Sequence, residues 1–302
     1  MVIPTSTPLF GRVITAMITP FDSAGNVDYD GAVRVAEHLV AIGSDGLVVS
    51  GTTGESPTLT HDEKIQLFKT IVKAVGGRAK VLAGTGSYNT AETIALSQDA
   101  EKCGVDGLLV VAPYYNKPSQ EGLFQHFTAV AEATSAPIML YNVPGRTITN
   151  IEAATTVRLA EHPRIVAIKE ASGDMVQVGR IAHDAPADFL IYSGADEHNL
   201  GMLALGSIGV VSVTSHVIGT DVAKIYTAWF AGDIETARKL HLKSLAIQKA
   251  LFSFPSPGPT KIALSLLGVT SDPRVRLPLV PATEKEVDTV RTALRDYGVL
   301  KS

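Results

Sequence analysis

Short runs of apolar residues recur along the chain at intervals of roughly 20 to 35 residues. They occupy residues 13–18, 46–50, 80–84, 107–112, 137–141, 165–169, 189–193 and 208–212. Apolar and polar residues do not alternate within a run, so both faces of each predicted strand should be covered. Strands buried on both faces are typical of parallel sheets flanked by helices. The pattern therefore predicts eight parallel strands.

Helical patterns separate these runs. Residues three or four positions apart lie on one face of a helix. This spacing predicts the first helix from Val33, Ala36, Val40 and Gly43, and the fourth from Leu123, Phe127 and Val130. The second helix opens with Thr60 followed three residues later by Glu63, which is the spacing of a capping box. Asn89 and Glu92 offer a similar start to the third helix. The remaining gaps are long enough for further helices.

Eight strand–helix units in about 230 residues predict an α/β fold, a (β/α)8 TIM barrel. A doubly wound open sheet is the alternative, although no G-x-G-x-x-G follows the first strand, which argues against a dinucleotide-binding version. Beyond residue 218, helical patterns cover residues 221–231, 234–251, 260–267 and 283–297, with a proline-rich break at 252–259. We therefore expect a catalytic barrel over residues 1–231 and a helical C-terminal extension over residues 232–302.

The composition excludes several partner classes. The chain has 302 residues, of which 45% are apolar and 19% charged, with a net charge of −4. Because Lys and Arg form no cluster, nucleic acid and anionic membranes are poor partner candidates. No run is long and apolar enough to span a bilayer, and residues 1–10 lack the pattern of a signal peptide. These features predict a soluble cytoplasmic protein.

Lys169 closes the buried run at residues 165–168 and is the strongest candidate for chemistry. A lysine at the carboxyl end of a buried strand has its stem in apolar surroundings, which disfavour the ammonium and favour a nucleophilic amine. The alternative is a lysine whose head reaches solvent while only its stem is buried.

Barrel enzymes carry their chemistry on the loops that follow the strands. Here those loops hold Gly-Thr-Thr-Gly-Glu-Ser at 51–56, Tyr-Tyr-Asn at 114–116, Tyr-Asn-Val-Pro-Gly-Arg at 141–146 and Ser-Gly-Ala-Asp at 193–196. The first could hold a small carboxylate through hydroxyl and N–H groups, or could be only a turn leading to the Thr60 cap. The two adjacent tyrosines could be packing residues. A tyrosine can transfer protons, and an arginine can bind a carboxylate with two hydrogen bonds.

No loop has metal-ligand spacing, and the eight histidines are scattered, so neither a metal nor another cofactor is expected. A strand-end lysine, a hydroxyl-rich loop, tyrosines and one arginine suit a lyase or synthase that forms an imine with a small keto acid. The protonated imine accepts electrons and so makes the neighbouring carbon a nucleophile.

These residues resemble the dihydrodipicolinate synthase family of pyruvate-dependent class I aldolases. The resemblance rests on the motifs at 51–55, 114–115, 141–146 and 168–171, which occur in the family's order and spacing, and it extends from about residue 11 to residue 300. It implies a homotetramer built as a dimer of dimers. It also implies condensation of pyruvate with L-aspartate 4-semialdehyde in lysine and diaminopimelate biosynthesis, without a cofactor.

The family's catalytic roles fall on four residues of this chain. Lys169 would form the imine with pyruvate, and Tyr141 would be the acid and base at that carbon. Thr52 would link Tyr141 to Tyr115 in a proton relay, with Tyr115 supplied by the neighbouring subunit. Such a relay needs hydrogen bonds of about 2.6 to 3.2 Å, so oligomerisation would complete the site.

Four further residues match the family's substrate-binding positions. Thr53, with backbone N–H groups of its loop, would hold the pyruvate carboxylate. Arg146 would receive the carboxylate of the semialdehyde. Gly194 and Val211 would line the pocket with backbone groups, and Val211 stands where the family commonly has isoleucine.

Relatives with the same fold cleave sugar acids, among them N-acetylneuraminate lyase and keto-deoxy-sugar-acid aldolases. The neuraminate lyases have a serine–threonine pair in place of Thr52 and Thr53 and lack the arginine at position 146. Thr52 and Arg146 therefore favour the synthase, with a sugar-acid aldolase as the alternative. A barrel that binds a keto acid without turnover is a further alternative, which no residue supports.

Many family members are inhibited by L-lysine in a cleft at the tight dimer interface. The matching positions in this chain are Ser56, Pro57, His61, Lys64, Tyr88, Glu92 and Tyr114. Two of them depart from the lysine-sensitive pattern, because Lys64 replaces a histidine and Tyr88 replaces an asparagine. A second ammonium close to the ligand's own charge would repel it. We therefore expect weak or absent inhibition by lysine.

Overall fold

Eight parallel strands close into a barrel in the computed structural model, which describes residues 8–301, and each strand pairs with its neighbours in chain order. The strands are β1 Val13–Ala16, β2 Gly46–Val49, β3 Lys80–Gly84, β4 Gly107–Val111, β5 Ile138–Asn142, β6 Ile165–Glu170, β7 Leu190–Ser193 and β8 Gly209–Ser212. The barrel is closed by pairing of β1 with β8. The predicted TIM barrel is thus confirmed, and the open doubly wound sheet is excluded.

Helices surround the barrel and continue beyond it. They are α1 Tyr29–Ala41, α2 His61–Val75, α3 Thr90–Glu101, α4 Gln120–Ala133, α5 Pro144–Thr147, α6 Ala153–Ala160, α7 Met175–Asp184, α8 Asn199–Ala204, α9 Ser215–Phe230, α10 Ile234–Ala250, α11 Gly258–Leu266 and α12 Glu284–Tyr297. The predicted capping box forms at α2, where Thr60 accepts from the Glu63 backbone and Glu63 accepts from the Thr60 backbone. At α3 only half of the predicted capping box forms. The Asn89 side chain caps the helix, but the Glu92 carboxylate accepts a hydrogen bond from the Ser87 hydroxyl and not from the Asn89 backbone.

The buried face of α1 differs from the predicted one. The sequence pattern put Val33, Ala36 and Val40 on one apolar face. Ala36 is buried as predicted, but the other buried residues include Val35 and Leu39, and Val33 and Val40 are only partly buried. Gly43 lies beyond the end of the helix. The helix carries apolar residues on more than one face, so spacing alone did not decide which face meets the barrel.

Two layers of apolar side chains surround the strands. One fills the barrel interior and includes Ile14, Leu82, Leu109 and Met139. The other lies between the strands and the outer helices. Residues therefore alternate between the interior and the helix layer along each strand.

The C-terminal helices share a core with the barrel. Val13 of β1 and Val210 of β8 belong to the same buried cluster as Ile247 of α10 and Leu294 of α12. The predicted boundary between residues 231 and 232 falls in the turn between α9 and α10, and the division into two units stays a prediction.

No helix within residues 8–301 is long and apolar enough to cross a membrane. The prediction that residues 1–10 are no signal peptide falls largely on residues 1–7, which lie outside the described part of the chain.

Candidate active site

A one-residue bulge in β6 sets the direction of Lys169. Ile138 of β5 lies opposite Ile165, but the next residue, Met139, lies opposite Ala167, so Val166 is an extra residue. Val166 and Ala167 consequently both contact the interior cluster. Because side chains alternate again after the bulge, Lys169 shares the inward face of Ala167.

Lys169 and Tyr141 are neighbours across the β5–β6 pair. The Lys169 Nζ lies 4.0 Å from the centroid of the Tyr141 ring. The two residues are only 5% and 6% exposed. The alternative in which the lysine head reaches solvent is therefore wrong, and the amine lies at the carboxyl end of the barrel beside a phenol.

Glu170, which the sequence analysis did not single out, ties the ends of β5 and β6 together. Its carboxylate is 1% exposed and accepts hydrogen bonds from Asn142 Nδ2 at 3.2 and 3.0 Å, from Gln177 Nε2 at 3.0 Å and from the Ser172 N–H at 2.6 Å. Asn142 and Glu170 directly follow Tyr141 and Lys169, so this network joins the two strands beside the positions of Tyr141 and Lys169. A charged residue on a buried strand was the signal that could have revealed it.

The loop over residues 51–56, here called the substrate loop, is a tight turn at the end of β2. The Gly54 N–H donates to Gly51 O at 3.0 Å, and the Glu55 N–H donates to Thr52 O at 3.0 Å. Thr53 is 7% exposed, whereas Thr52 is partly exposed. The loop leads through a short 3₁₀ helix, Ser56–Thr58, to the Thr60 cap. It is therefore a turn before a capped helix, and it also presents two threonines at the carboxyl end of the barrel.

The remaining predicted binding residues lie on the β5, β7 and β8 segments. Arg146 is exposed on the short helix α5. A Cβ added to Gly194 would lie 2.6 Å from the Ala171 Cβ, so only glycine fits there, and the Gly194 N–H donates to Glu170 O at 2.8 Å. Val211 is 1% exposed and contacts the barrel interior. Their roles toward substrate stay predictions.

Tyr115 projects from the loop after β4. It is 86% exposed, and its φ of 69° lies in the left-handed region that non-glycine residues rarely adopt. A large aromatic side chain held outward in this way is free to contact another molecule.

The structure gives the carboxylate after β7 a structural role. Asp196 accepts hydrogen bonds from Ser212 Oγ at 2.6 Å and from the Val213 and Thr214 N–H groups at 2.9 Å each. Within residues 8–301, no group of three or more His, Cys, Asp or Glu side chains could hold a metal ion.

Comparison with known proteins decides the family. The model of the "Dihydrodipicolinate synthetase family" matches residues 9–297. The chain belongs to the dihydrodipicolinate synthetase family. A 4-hydroxy-tetrahydrodipicolinate synthase from Moorella thermoacetica is 55% identical over 96% of this chain and 99% of its own length.

Two solved structures of the dihydrodipicolinate synthetase family extend the comparison. The enzyme from Cyanidioschyzon merolae with lysine bound is 45% identical, with a TM-score of 0.94 over 97% of this chain and 100% of that one. The chloride-inhibited enzyme from Acinetobacter baumannii complexed with pyruvate is 38% identical, with a TM-score of 0.93 over 96% of this chain and 100% of that one.

The residues that match the family's lysine cleft come together in this chain. All seven line one cavity of about 360 Å³ beside the substrate loop: Ser56, Pro57, His61, Lys64, Tyr88, Glu92 and Tyr114. The Tyr88 and Tyr114 rings meet edge to face with centroids 5.2 Å apart. Burial lowers the pKa of Lys64, and the nearby Glu92 carboxylate opposes that shift. The cavity wall thus carries a lysine and a glutamate together.

Proposed function

We propose that this chain is a 4-hydroxy-tetrahydrodipicolinate synthase that condenses pyruvate with L-aspartate 4-semialdehyde through an imine on Lys169. The observation that carries the proposal is the buried Lys169 amine, 4.0 Å from the Tyr141 ring centroid at the carboxyl end of the barrel. The full-length similarity to synthases of this activity supports it.

The reaction follows from the chemistry of an amine and a ketone. The neutral Lys169 amine attacks the keto carbon of pyruvate and water leaves, which gives a protonated imine. Tyr141 transfers the protons that this step requires. Loss of a methyl proton then gives an enamine, whose carbon attacks the aldehyde of the second substrate. The amino group of that substrate finally displaces Lys169 from the imine carbon, so the ring closes and the lysine is regenerated without a cofactor.

The binding groups are assigned by position. Thr53 and the N–H groups of the substrate loop hold the pyruvate carboxylate, and Arg146 on α5 binds the carboxylate of the semialdehyde. Gly194 and Val211 shape the pocket. Thr52 connects Tyr141 with Tyr115 of a neighbouring subunit.

The proposal includes a homotetramer built as a dimer of dimers, in the cytoplasm. Tyr115 has an exposed side chain and a backbone in the left-handed region. This supports a subunit boundary at the active site, because a neighbouring chain would bury the side chain. Light scattering coupled to size-exclusion chromatography tests the assembly, and a monomer would contradict it.

Borohydride trapping tests the imine. The protein is incubated with pyruvate, reduced and mapped by peptide mass spectrometry, and the adduct is expected on Lys169. Lys169→Arg keeps the positive charge but forms no imine and should give no adduct. Lys80→Arg is the matched control, because Lys80 forms an exposed ion pair with Asp106 at the opposite end of the barrel. An adduct on another lysine, or none on the folded protein, would refute the mechanism.

Turnover then identifies the second substrate. Product formation from pyruvate and L-aspartate 4-semialdehyde supports the synthase, whereas cleavage of N-acetylneuraminate or a 2-keto-3-deoxy sugar acid would favour the aldolase alternative. Trapping of pyruvate with no turnover of any of these would favour a keto-acid-binding barrel.

A further inference from the structure

The substrate loop ends in a buried carboxylate for which the proposed reaction has no use. Glu55 is 3% exposed, and its φ of 55° lies in the left-handed region. One carboxylate oxygen accepts the Arg276 backbone N–H at 2.9 Å. A buried carboxylate is costly unless a cation faces it, so the loop depends on whatever neutralises Glu55.

The cation comes from the C-terminal extension. Lys261 of α11 is 1% exposed, and its Nζ forms an ion pair with the other Glu55 oxygen. The same Nζ donates to Arg274 O at 2.7 Å and lies 4.0 Å from the Phe21 ring centroid. Burial lowers the pKa of Lys261 to about 8, against the opposing effect of Glu55.

The guanidinium of the neighbouring Arg276 is already engaged with other partners. The Arg276 guanidinium donates to the two Glu63 oxygens at 2.8 and 2.6 Å, to Thr58 O at 2.8 Å and to Gly25 O at 3.0 Å. Arg276 gives Glu55 a backbone hydrogen bond, and its guanidinium attracts Glu55 without direct contact, so the side chain paired directly with Glu55 is Lys261.

The opposite side of the substrate loop is also held. Thr19 Oγ1 donates to Gly54 O at 2.7 Å, and a Cβ added to Gly54 would lie 3.1 Å from Met17 O. The loop is therefore held between the segment that follows β1 and the Glu55–Lys261 pair. Loss of the pair on one side would let the short turn that carries Thr52 and Thr53 move, since the Glu55 N–H is bonded to Thr52 O.

We propose that Lys261 is a positioning residue for the active site. By neutralising Glu55 beneath the substrate loop, it fixes Thr52 and Thr53 in the orientation that binds the substrate's carboxylate. This inference rests on the proposed function, and it makes α11 of the C-terminal extension a support of the site rather than only a cover for the barrel.

A double-mutant cycle tests the proposal with Lys261→Met, Glu55→Gln and the combined variant. The readout is the pyruvate concentration that half-saturates borohydride trapping at Lys169, together with KM for pyruvate and kcat. In Lys261→Met a charged Glu55 is left buried and unpaired, so KM for pyruvate should rise by about tenfold or more, by a larger factor than kcat falls. In the combined variant both charges are gone, and KM should return to within about threefold of the parent.

Lys80→Met is the control, because it removes a paired lysine at the far end of the barrel. Its KM for pyruvate should equal that of the parent. If Lys261→Met does not fold, Glu55→Gln and the combined variant complete the test. Glu55→Gln leaves Lys261 buried without its carboxylate, so its KM for pyruvate should exceed that of the combined variant, and equal values would refute the role of the pair.

Two failures are distinguishable. A parent without an adduct on Lys169 refutes the proposed function and this inference with it. If the parent protein forms the adduct, two results would refute this inference alone. One is an unchanged half-saturating pyruvate concentration in folded Lys261→Met, and the other is that the effects of the two single substitutions simply add in the combined variant. A fall in melting temperature with unchanged KM would make the pair purely structural.

Discussion

The cavity beside the substrate loop leads to a quantitative prediction about L-lysine. Lys64 is half-buried in its wall, whereas the lysine-sensitive pattern has histidine at this position. We predict that L-lysine inhibits this protein weakly or not at all, and that Lys64→His creates or strengthens inhibition.

The size of the effect follows from the cavity. Because Lys64 lines the cavity, we take an ammonium bound there to lie about 4 to 6 Å from the Lys64 charge. At about 5 Å the repulsion is roughly 1 kcal/mol in water and about 3 kcal/mol at an effective dielectric constant of 20. That energy corresponds to an affinity lower by about fivefold to two-hundredfold. Burial lowers the pKa of Lys64, and the Glu92 carboxylate opposes this shift.

The assay is the initial rate with both substrates at pH 7 as L-lysine increases. Lys64→His should be half-inhibited at a concentration about fivefold to two-hundredfold lower than the parent. Lys69→His is the matched control, because Lys69 is an exposed lysine of the same helix outside the cavity. Half-inhibition of the parent at sub-millimolar lysine, or equal sensitivity of parent and Lys64→His, would refute the charge argument.

Three further predictions concern stability and assembly. Burial lowers the pKa of His126 and His216 to about 4, below the value of 6.5 in an unfolded chain, so their contribution to the free energy of unfolding should be fully present above pH 6.5. Between pH 6.5 and 4 it should fall by up to about 2.7 kcal/mol per pH unit, and urea unfolding that does not change over this range would contradict this. In Glu170→Gln, an NH₂ group replaces one carboxylate oxygen and faces N–H donors that it cannot accept from. This substitution should lower the free energy of unfolding by about 2 to 4 kcal/mol. When a Tyr115→Phe chain and a Lys169→Arg chain are co-expressed, half of the subunit pairs are mixed, and one site of each mixed pair is intact if Tyr115 crosses between subunits. About a quarter of parental activity should then be recovered, and none if Tyr115 does not cross.

Much of the fold was predictable because its signals are local. Each apolar run is short, is buried on both faces and alternates with a helical pattern, which predicts a parallel sheet covered by helices. The pairing of β1 with β8 in the structure shows that this sheet closes into a barrel. The capping box of Thr60 and Glu63 was likewise predictable, since both partners lie within one turn. The cleft residues were found by resemblance, and the structure gathers them around one cavity.

The buried face of α1 was predicted only in part, for a physical reason. Val33, Val35, Val40 and Leu39 offer two overlapping apolar stripes, and only contact with the barrel determines which of them is buried. Glu55 and Lys261 were also beyond local reasoning. They are far apart in the sequence, and each alone resembles an ordinary charged residue until the fold buries both.

The sequence by itself determined that a lysine closes the sixth apolar run and that a tyrosine closes the fifth. It did not determine that the two side chains meet. Residues 165–168 are all apolar, so their pattern does not reveal which of them face inward. With unbroken alternation, Ile165 in the helix layer would place Lys169 in that layer too. The bulge at Val166 reverses the alternation and turns Lys169 into the barrel beside Tyr141. Only the pairing of β6 with β5 decides this, because a bulge is a mismatch between two strands and not a property of either one.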